Sequence, residues 1–148
     1  MVALNWLLQM VIPKQLILAY CNATYRVDMP DGALDIRIGE PSERLDTLLK
    51  QQAAQTWAFI TAQNPRSQRT EVENEQRQQA LKRRVTEMGF VYFEGRGISP
   101  ANDWPTEESL LVIGISADVG RALGRSFEQL AIVAGELGTA AQLIDCYL

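Results

Sequence analysis

The residues best suited to bind a ligand follow a strongly apolar segment. The run TWAFITA (56–62) predicts a buried strand, and it leads directly into a polar segment that contains Asn64 and Ser67. In open α/β sheets, ligands bind beyond the carboxyl ends of strands. Thr61 is the last hydroxyl on the strand, and Thr70 with Glu73 is typical of a helix N-terminus. The free backbone N–H groups of such a helix end would suit an anion.

The predicted helix also directs an arginine inward. Leu81, Val85 and Met88 recur at spacings of four and three, which marks a buried stripe. Extended backwards, the stripe reaches Arg77 and Asn74. An unpaired buried charge is strongly destabilising, so the guanidinium needs a partner. That partner is either an anionic ligand or an internal carboxylate, and the candidates for the second role are Asp103, Glu107 and Glu108.

The segment 96–107 predicts a long loop, and loops of this length are often functional. Within it, Trp104 could stack on a base or a sugar, or it could cover the edge of the core. Glu107 and Glu108 could form a catalytic or metal-binding pair, but neighbours on an extended segment point to opposite sides. No metal is therefore predicted. The candidate ligand-binding residues are Thr61, Asn64, Ser67, Asn74, Arg77, Trp104, Glu108 and Ser109.

Composition excludes several classes of function. The chain has no histidine, which removes Ser-His-Asp and Cys-His catalysis and imidazole metal sites. Its net charge of −4 is opposite in sign to a nucleic-acid-binding surface. Gly95-Arg96-Gly97 is only a fragment of a phosphate-binding loop, so no cofactor is expected. Cys21 and Cys146 match no zinc motif, and we expect reduced thiols in a cytoplasmic protein.

A chain of 148 residues that is 47% hydrophobic fits one domain, predicted over 13–148. The apolar extension 1–12 lacks the basic start of a signal peptide. It is also shorter than the roughly 20 residues of a membrane span. It could be a start-site extension, with Met10 as a second start, or a packed helix, or a contact surface for a protein partner or a second copy. We favour the packed helix.

The hydrophobic pattern predicts alternating helices and strands. The predicted helices are 13–22, 42–54, 70–88 and 116–129, and the predicted strands are 33–38, 56–62, 90–95, 109–115, 130–135 and 142–148. This order indicates a single-domain α/β sandwich with helices on the faces of a mixed, mostly parallel sheet of about five or six strands. The alternating segment ALDIRI (33–38) suits a half-exposed strand near an edge. Gly120 and Gly124 could let the last helix lie close to the sheet.

Several segments carry a family resemblance. They are AYCNATYRV, LDIRIGEPS, WAFITAQNPRS, ENEQRQQAL, W-P-x-E-E-S-L-L-V-x-G-I and FEQLAIVAGE. Together they resemble an uncharacterised bacterial family, domain of unknown function 3293, over roughly residues 13–137. The matching positions are Thr61, Ala62, Asn64, Pro65, Ser67, Asn74, Arg77, Trp104, Glu108 and Ser109. The family pattern has a Gly-Gln pair where this chain has Glu128-Gln129. The resemblance implies a bacterial cytoplasmic protein and no particular activity.

Three functions remain open. The first is a binding module for a small anionic or nucleotide-like ligand, with Asn64, Ser67 and Arg77 around the anion and Trp104 over it. The second is a protein-interaction or structural domain without a ligand, with the apolar N-terminus or an exposed strand edge as its interface. The third is a histidine-free hydrolytic enzyme that uses carboxylates for proton transfer. We rank them in that order.

Overall fold

The computed structural model describes residues 12–63, 71–100 and 106–148. Within these ranges the chain forms four helices and seven strands. The helices are α1 (Lys14–Asn22), α2 (Glu43–Gln51), α3 (Glu71–Glu87) and α4 (Ala117–Ser126). The strands are β1 (Thr24–Met29), β2 (Gly32–Ile36), β3 (Thr56–Thr61), β4 (Val91–Ile98), β5 (Glu107–Ile113), β6 (Ala131–Glu136) and β7 (Gln142–Asp145). The predicted N-terminal extension lies outside the described residues, except for Ile12, which is buried.

All seven strands belong to one sheet in the order β2-β1-β4-β5-β3-β6-β7, and every neighbouring pair is antiparallel. Past the end of β2, Ile38 forms an isolated parallel bridge with Ala141, just before β7. The backbone N–H of Gly39 donates to the carbonyl of Ala141 at 2.8 Å. The two edges of the sheet therefore meet, and the sheet curls into a half-barrel. The predicted mostly parallel sheet of five or six strands is wrong.

The predicted strand pairing is wrong because a further strand lies between the two members of each helix-connected pair. β3 and β4 are joined by α3, and both are antiparallel to β5, which lies between them. β5 and β6 are joined by α4 and are separated by β3 in the same way. Strands joined by a helix thus point in the same direction, as in a parallel sheet, but they are not neighbours. Residues 56–136 form the β-α-β-β-α-β motif of ferredoxin-like proteins.

β1 was not predicted from the sequence. This strand forms a hairpin with β2, with Met29 opposite Gly32 and a two-residue turn of Pro30 and Asp31. A Pro-Asp-Gly run between two strand-forming segments is a known turn signal. β2 lies at the edge of the sheet, as the alternating pattern of 33–38 predicts.

The curled sheet has a separate core on each face. On the concave face, Trp57, Phe59 and Leu111 pack in one cluster with the buried leucines of α2. On the convex face, Ile60 and Leu110 cluster with residues of α3 and α4. Because both faces of β3 are covered, its sequence is continuously apolar. That pattern is typical of a central parallel strand, and here it arises in an antiparallel one.

α4 lies close to the convex face. A Cβ atom added at Gly124 would lie 2.8 Å from Ile132 Cγ2 and 2.9 Å from Cys146 Sγ. The prediction that glycine permits this close approach is confirmed. Cys21 and Cys146 are both free thiols. No helix in the described ranges is long and apolar enough to cross a membrane.

Candidate functional site

A cavity of about 370 Å³ lies between α1 and the concave face of the sheet. Its described walls come from α1, from the ends of β3 and β4, and from the beginnings of β5 and β6. Most of the wall is apolar, with Leu16 and Ala19 on α1 facing Phe59, Ala131 and other side chains of the sheet. α1 itself contains no buried residue. It therefore covers a space rather than a packed core.

Polar groups gather at one end of the cavity. Thr61 on β3 and Ser109 on β5 are direct register partners, and both belong to the lining. Glu107 lies two residues before Ser109, so it is on the same face of β5. Gly97 on β4 stands between Glu107 and Tyr25 of β1 in the register. The missing side chain at Gly97 leaves the space between the carboxylate and the phenol open.

Two tyrosines border this polar end in their neutral form. Burial raises the pKa of both Tyr20 and Tyr25 above the ordinary range, and the charge of Glu107 raises each pKa further. The hydroxyl of Tyr25 donates to the backbone carbonyl of Tyr20 at 2.7 Å. Its ring packs edge-on against Phe59, with 5.3 Å between the ring centroids.

The predicted site residues do not all meet in this cavity. Thr61 and Ser109 line it. Glu108 has an exposed side chain. Its backbone N–H donates to the amide oxygen of Gln63 at 2.8 Å, and its carbonyl accepts from the hydroxyl of Thr61 at 2.7 Å. Asn64, Ser67 and Trp104 lie outside the described residues.

Arg77 lies on the convex side of the sheet and binds internal acceptors. Its Nε donates to the carbonyl of Ala62 at 2.9 Å, and Nη2 donates to the carbonyl of Phe127. Nη1 lies 3.5 Å from a carboxylate oxygen of Glu128. The side chain is 22% exposed, so most of it is shielded from water. Of the two alternatives for its partner, the structure shows the internal one, with Glu128 as the carboxylate.

Asn74 lies one turn before Arg77 on α3 and is half-buried. The front of α3 and the end of β3 do lie together, as the helical stripe predicts, because Arg77 binds Ala62. Together these contacts connect the end of β3 to the segment between α4 and β6.

Three buried glutamines that were not predicted from the sequence extend this network, and one of them, Gln129, also lines the cavity. Gln78 accepts a hydrogen bond from the Ala62 N–H at 3.3 Å, and Gln129 donates to the Gln63 carbonyl at 3.1 Å. All three glutamines are at most 9% exposed. A signal for one of them was present. Three residues before Leu81 the stripe reaches Gln78, whereas a step of four leads to Arg77.

Glu128 holds a backbone conformation that favours glycine, with φ of +61°. The family resemblance described above implies glycine at this position. We expect Glu128→Gly to raise the free energy of unfolding by about 0.5–1 kcal/mol, because glycine adopts this region without strain. The half-exposed ion pair with Arg77 contributes less than that, on the order of 0.5 kcal/mol.

The matched control is Glu128→Gln, which removes the charge and keeps the Cβ atom. Urea denaturation of both variants measures the difference. A Glu128→Gly protein less stable than Glu128→Gln would contradict the strain argument.

The chain matches one family model, described as a protein of unknown function (DUF3293), over residues 60–132. The match runs from β3 to β6 and so covers α3, β4, β5 and α4. It includes both the Arg77 network and the β3–β5 part of the cavity wall. No curated protein and no solved structure matches the chain.

Proposed function

We propose that this chain, whose residues 60–132 belong to the DUF3293 family of proteins of unknown function, binds a small and mainly apolar organic molecule. The observation that carries the proposal is the cavity between α1 and the concave face, about 370 Å³ in volume. Small-molecule sites in proteins have this size, and they combine apolar walls with a few polar groups that fix orientation. Here the polar groups lie at one end, near Thr61, Ser109 and Glu107.

The composition of α1 supports the same proposal. The run from Leu16 to Tyr20 is apolar, but every residue of the helix keeps some exposure, and Leu18 is 55% exposed. A molecule in the cavity would bury the inner side of this helix, including Leu16 and Ala19. Removing apolar surface from water stabilises the bound state.

The ligand proposed here differs in character from the one suggested by the sequence. The anionic or nucleotide-like ligand depended on Arg77, whose described contacts are internal and on the other face of the sheet. The described cavity wall contains the carboxylate of Glu107 and neither lysine nor arginine. Small-molecule binding therefore remains the proposal, with an apolar body in place of the anion. The interaction-domain and hydrolytic alternatives remain predictions.

Gly97→Val tests whether the cavity is the binding site. A Cβ atom at Gly97 would lie 3.8 Å from the Tyr25 ring, an ordinary contact, so the strand can accept a side chain there. The isopropyl group would then occupy the space between Tyr25 and Glu107. We expect unliganded stability to change by only about 0.5 kcal/mol.

The probes are 3-phenylpropan-1-ol and 3-phenylpropylamine. Their binding is measured by thermal unfolding and by titration calorimetry. A bound probe stabilises the folded state by mass action and so raises Tm. The stabilisation is about 2.7 kcal/mol when the free probe concentration is a hundred times Kd. We expect the wild type to respond and Gly97→Val to lose the response. Ala33→Val, on the exposed edge strand β2, is the matched control and keeps it. An unresponsive wild type, or an equal response from Gly97→Val, would contradict the proposal.

A further inference from the structure

Two hydroxyl groups at the polar end of the cavity donate their hydrogens within the protein. The hydroxyl of Thr61 donates to the backbone carbonyl of Glu108 at 2.7 Å. The hydroxyl of Ser109 donates to the backbone carbonyl of Glu107 at 3.1 Å. A hydroxyl carries one hydrogen and two lone pairs, so in these bonds both groups have only lone pairs left for a ligand.

The side chain of Gln129 reaches the same end of the cavity, and both of its amide hydrogens are engaged. Nε2 donates to the carbonyl of Gln63 at 3.1 Å and to the carbonyl of Phe127 at 3.4 Å. The backbone N–H of Gln63 in turn donates to the hydroxyl of Thr61 at 3.0 Å, which connects Gln129 to the polar end. Because a glutamine amide has two hydrogens, only the oxygen of Gln129 is left to meet a ligand.

Ser109 is the acceptor best placed to receive a hydrogen from a ligand. It lines the cavity and is only 3% exposed. Among the described residues, no group donates to its Oγ, so both lone pairs remain, whereas one lone pair of Thr61 already accepts from Gln63. Buried oxygens are normally paired with donors, so this one favours a ligand that donates.

The rest of the described lining supplies few donors. It contains neither lysine nor arginine, and the hydroxyl of Tyr25 donates to the backbone carbonyl of Tyr20 at 2.7 Å. The phenol of Tyr20 also lines the cavity. Since a phenol both donates and accepts, it can pair with a hydroxyl group as well as with a carbonyl. A ligand that only accepts would therefore meet mainly other acceptors.

From this arrangement we infer that the bound molecule carries a hydroxyl group, which donates its hydrogen to Oγ of Ser109 while the apolar body lies toward α1. The inference rests on the proposed function and names the class of ligand, an apolar alcohol. A ketone of the same size has no hydrogen for Ser109, and its oxygen would lie beside the oxygens of Ser109 and Gln129. Those acceptors would lose water on binding and gain no donor in exchange.

Two probes with one carbon skeleton test the inference: 4-phenylbutan-2-ol and 4-phenylbutan-2-one. The alcohol has a hydrogen to donate and the ketone has none, while their apolar bodies are the same. We expect the wild type to bind the alcohol about tenfold more tightly than the ketone, because a neutral hydrogen bond contributes up to about that factor. Titration calorimetry gives both Kd values.

Ser109→Ala removes the acceptor and leaves the apolar walls in place. It should lower the affinity for the alcohol about tenfold, to that of the ketone, and leave the affinity for the ketone unchanged. The matched control is Ser126→Ala at the end of α4, where the hydroxyl donates to the carbonyl of Leu123 at 2.6 Å and lies outside the described lining. This control should keep the preference for the alcohol. If Ser109→Ala does not fold, the wild-type ranking of the two probes decides.

The outcomes separate this inference from the proposed function. Equal affinity of the wild type for the two probes, tighter binding of the ketone, or a preference for the alcohol that persists in Ser109→Ala would overturn the assignment of a donated hydroxyl. In all three cases an apolar molecule still binds, so the proposed function stands. Failure of the wild type to bind both probes and 3-phenylpropan-1-ol overturns both.

Discussion

Arg77→Ala is expected to lower the free energy of unfolding by about 3 kcal/mol, because hydrogen bonds to charged groups contribute roughly 1.5–3 kcal/mol each. The guanidinium donates to the carbonyls of Ala62 and Phe127, and alanine leaves both acceptors without this donor. It also stacks over the Phe127 ring, 5.9 Å from the centroid. Urea denaturation measures the loss as a lower midpoint at unchanged slope.

Two control variants make this result specific. Arg77→Lys should recover less than half of the loss, since one ammonium group lacks the planar fork that reaches two separate carbonyls. Arg84→Ala, on the exposed side of the same helix, should change stability by no more than about 0.5 kcal/mol. Similar losses at Arg77 and Arg84 would contradict a structural role for Arg77.

The same variant distinguishes the structure-based proposal from the sequence-based hypothesis. If Arg77 holds the end of β3, Arg77→Ala loses stability and keeps affinity for the amine probe. If Arg77 neutralises an anionic ligand, the variant keeps most of its stability and loses affinity for inorganic phosphate. Measuring both quantities on one protein separates the two roles.

The order of helices and strands was predictable because it depends on local patterns. Periods of two and 3.6 residues identified six of the seven strands, and β2 was correctly expected at an edge. The direction of pairing was not predictable from these patterns. β3 is covered on both faces, and its apolar run is the same whether its neighbours are parallel or antiparallel. Pairing depends on which distant strand inserts between two others, and period alone carries no information about that.

The candidate site was predictable in residue type and not in position. Thr61 and Ser109 were singled out as polar groups beside buried strands, and both line one cavity, while their role in ligand binding stays a prediction. Arg77 was placed in the same site because the end of β3 and the front of α3 are close. They are close on the convex side, whereas the side chain of Thr61 points to the concave side. Successive residues of β3 point to opposite faces of the sheet, so a single step along the strand separates the concave side from the convex side.

The second large effect is expected at Gly95, where β1 and β4 approach each other closely. Gly95 lies opposite Val27 on β1 and Ser109 on β5. A Cβ atom there would overlap the backbone carbonyl oxygen of Arg26 and lie 3.1 Å from Cε2 of the buried Phe59 ring. Neither neighbour is a flexible side-chain end, so the strands must move apart. We expect Gly95→Ala to cost about 3 kcal/mol, the upper part of the range for overpacked sites.

Gly97→Ala is the matched control for this prediction. It lies two residues further along β4 on the same face, and its added methyl group would meet only the Tyr25 ring at 3.8 Å. It should change stability by about 0.5 kcal/mol or less. Urea denaturation of both variants gives the comparison. Because both substitutions add one methyl group to the same strand, equal losses would mean that strand propensity sets the cost. The close approach of β1 to β4 at Gly95 would then add nothing to that cost.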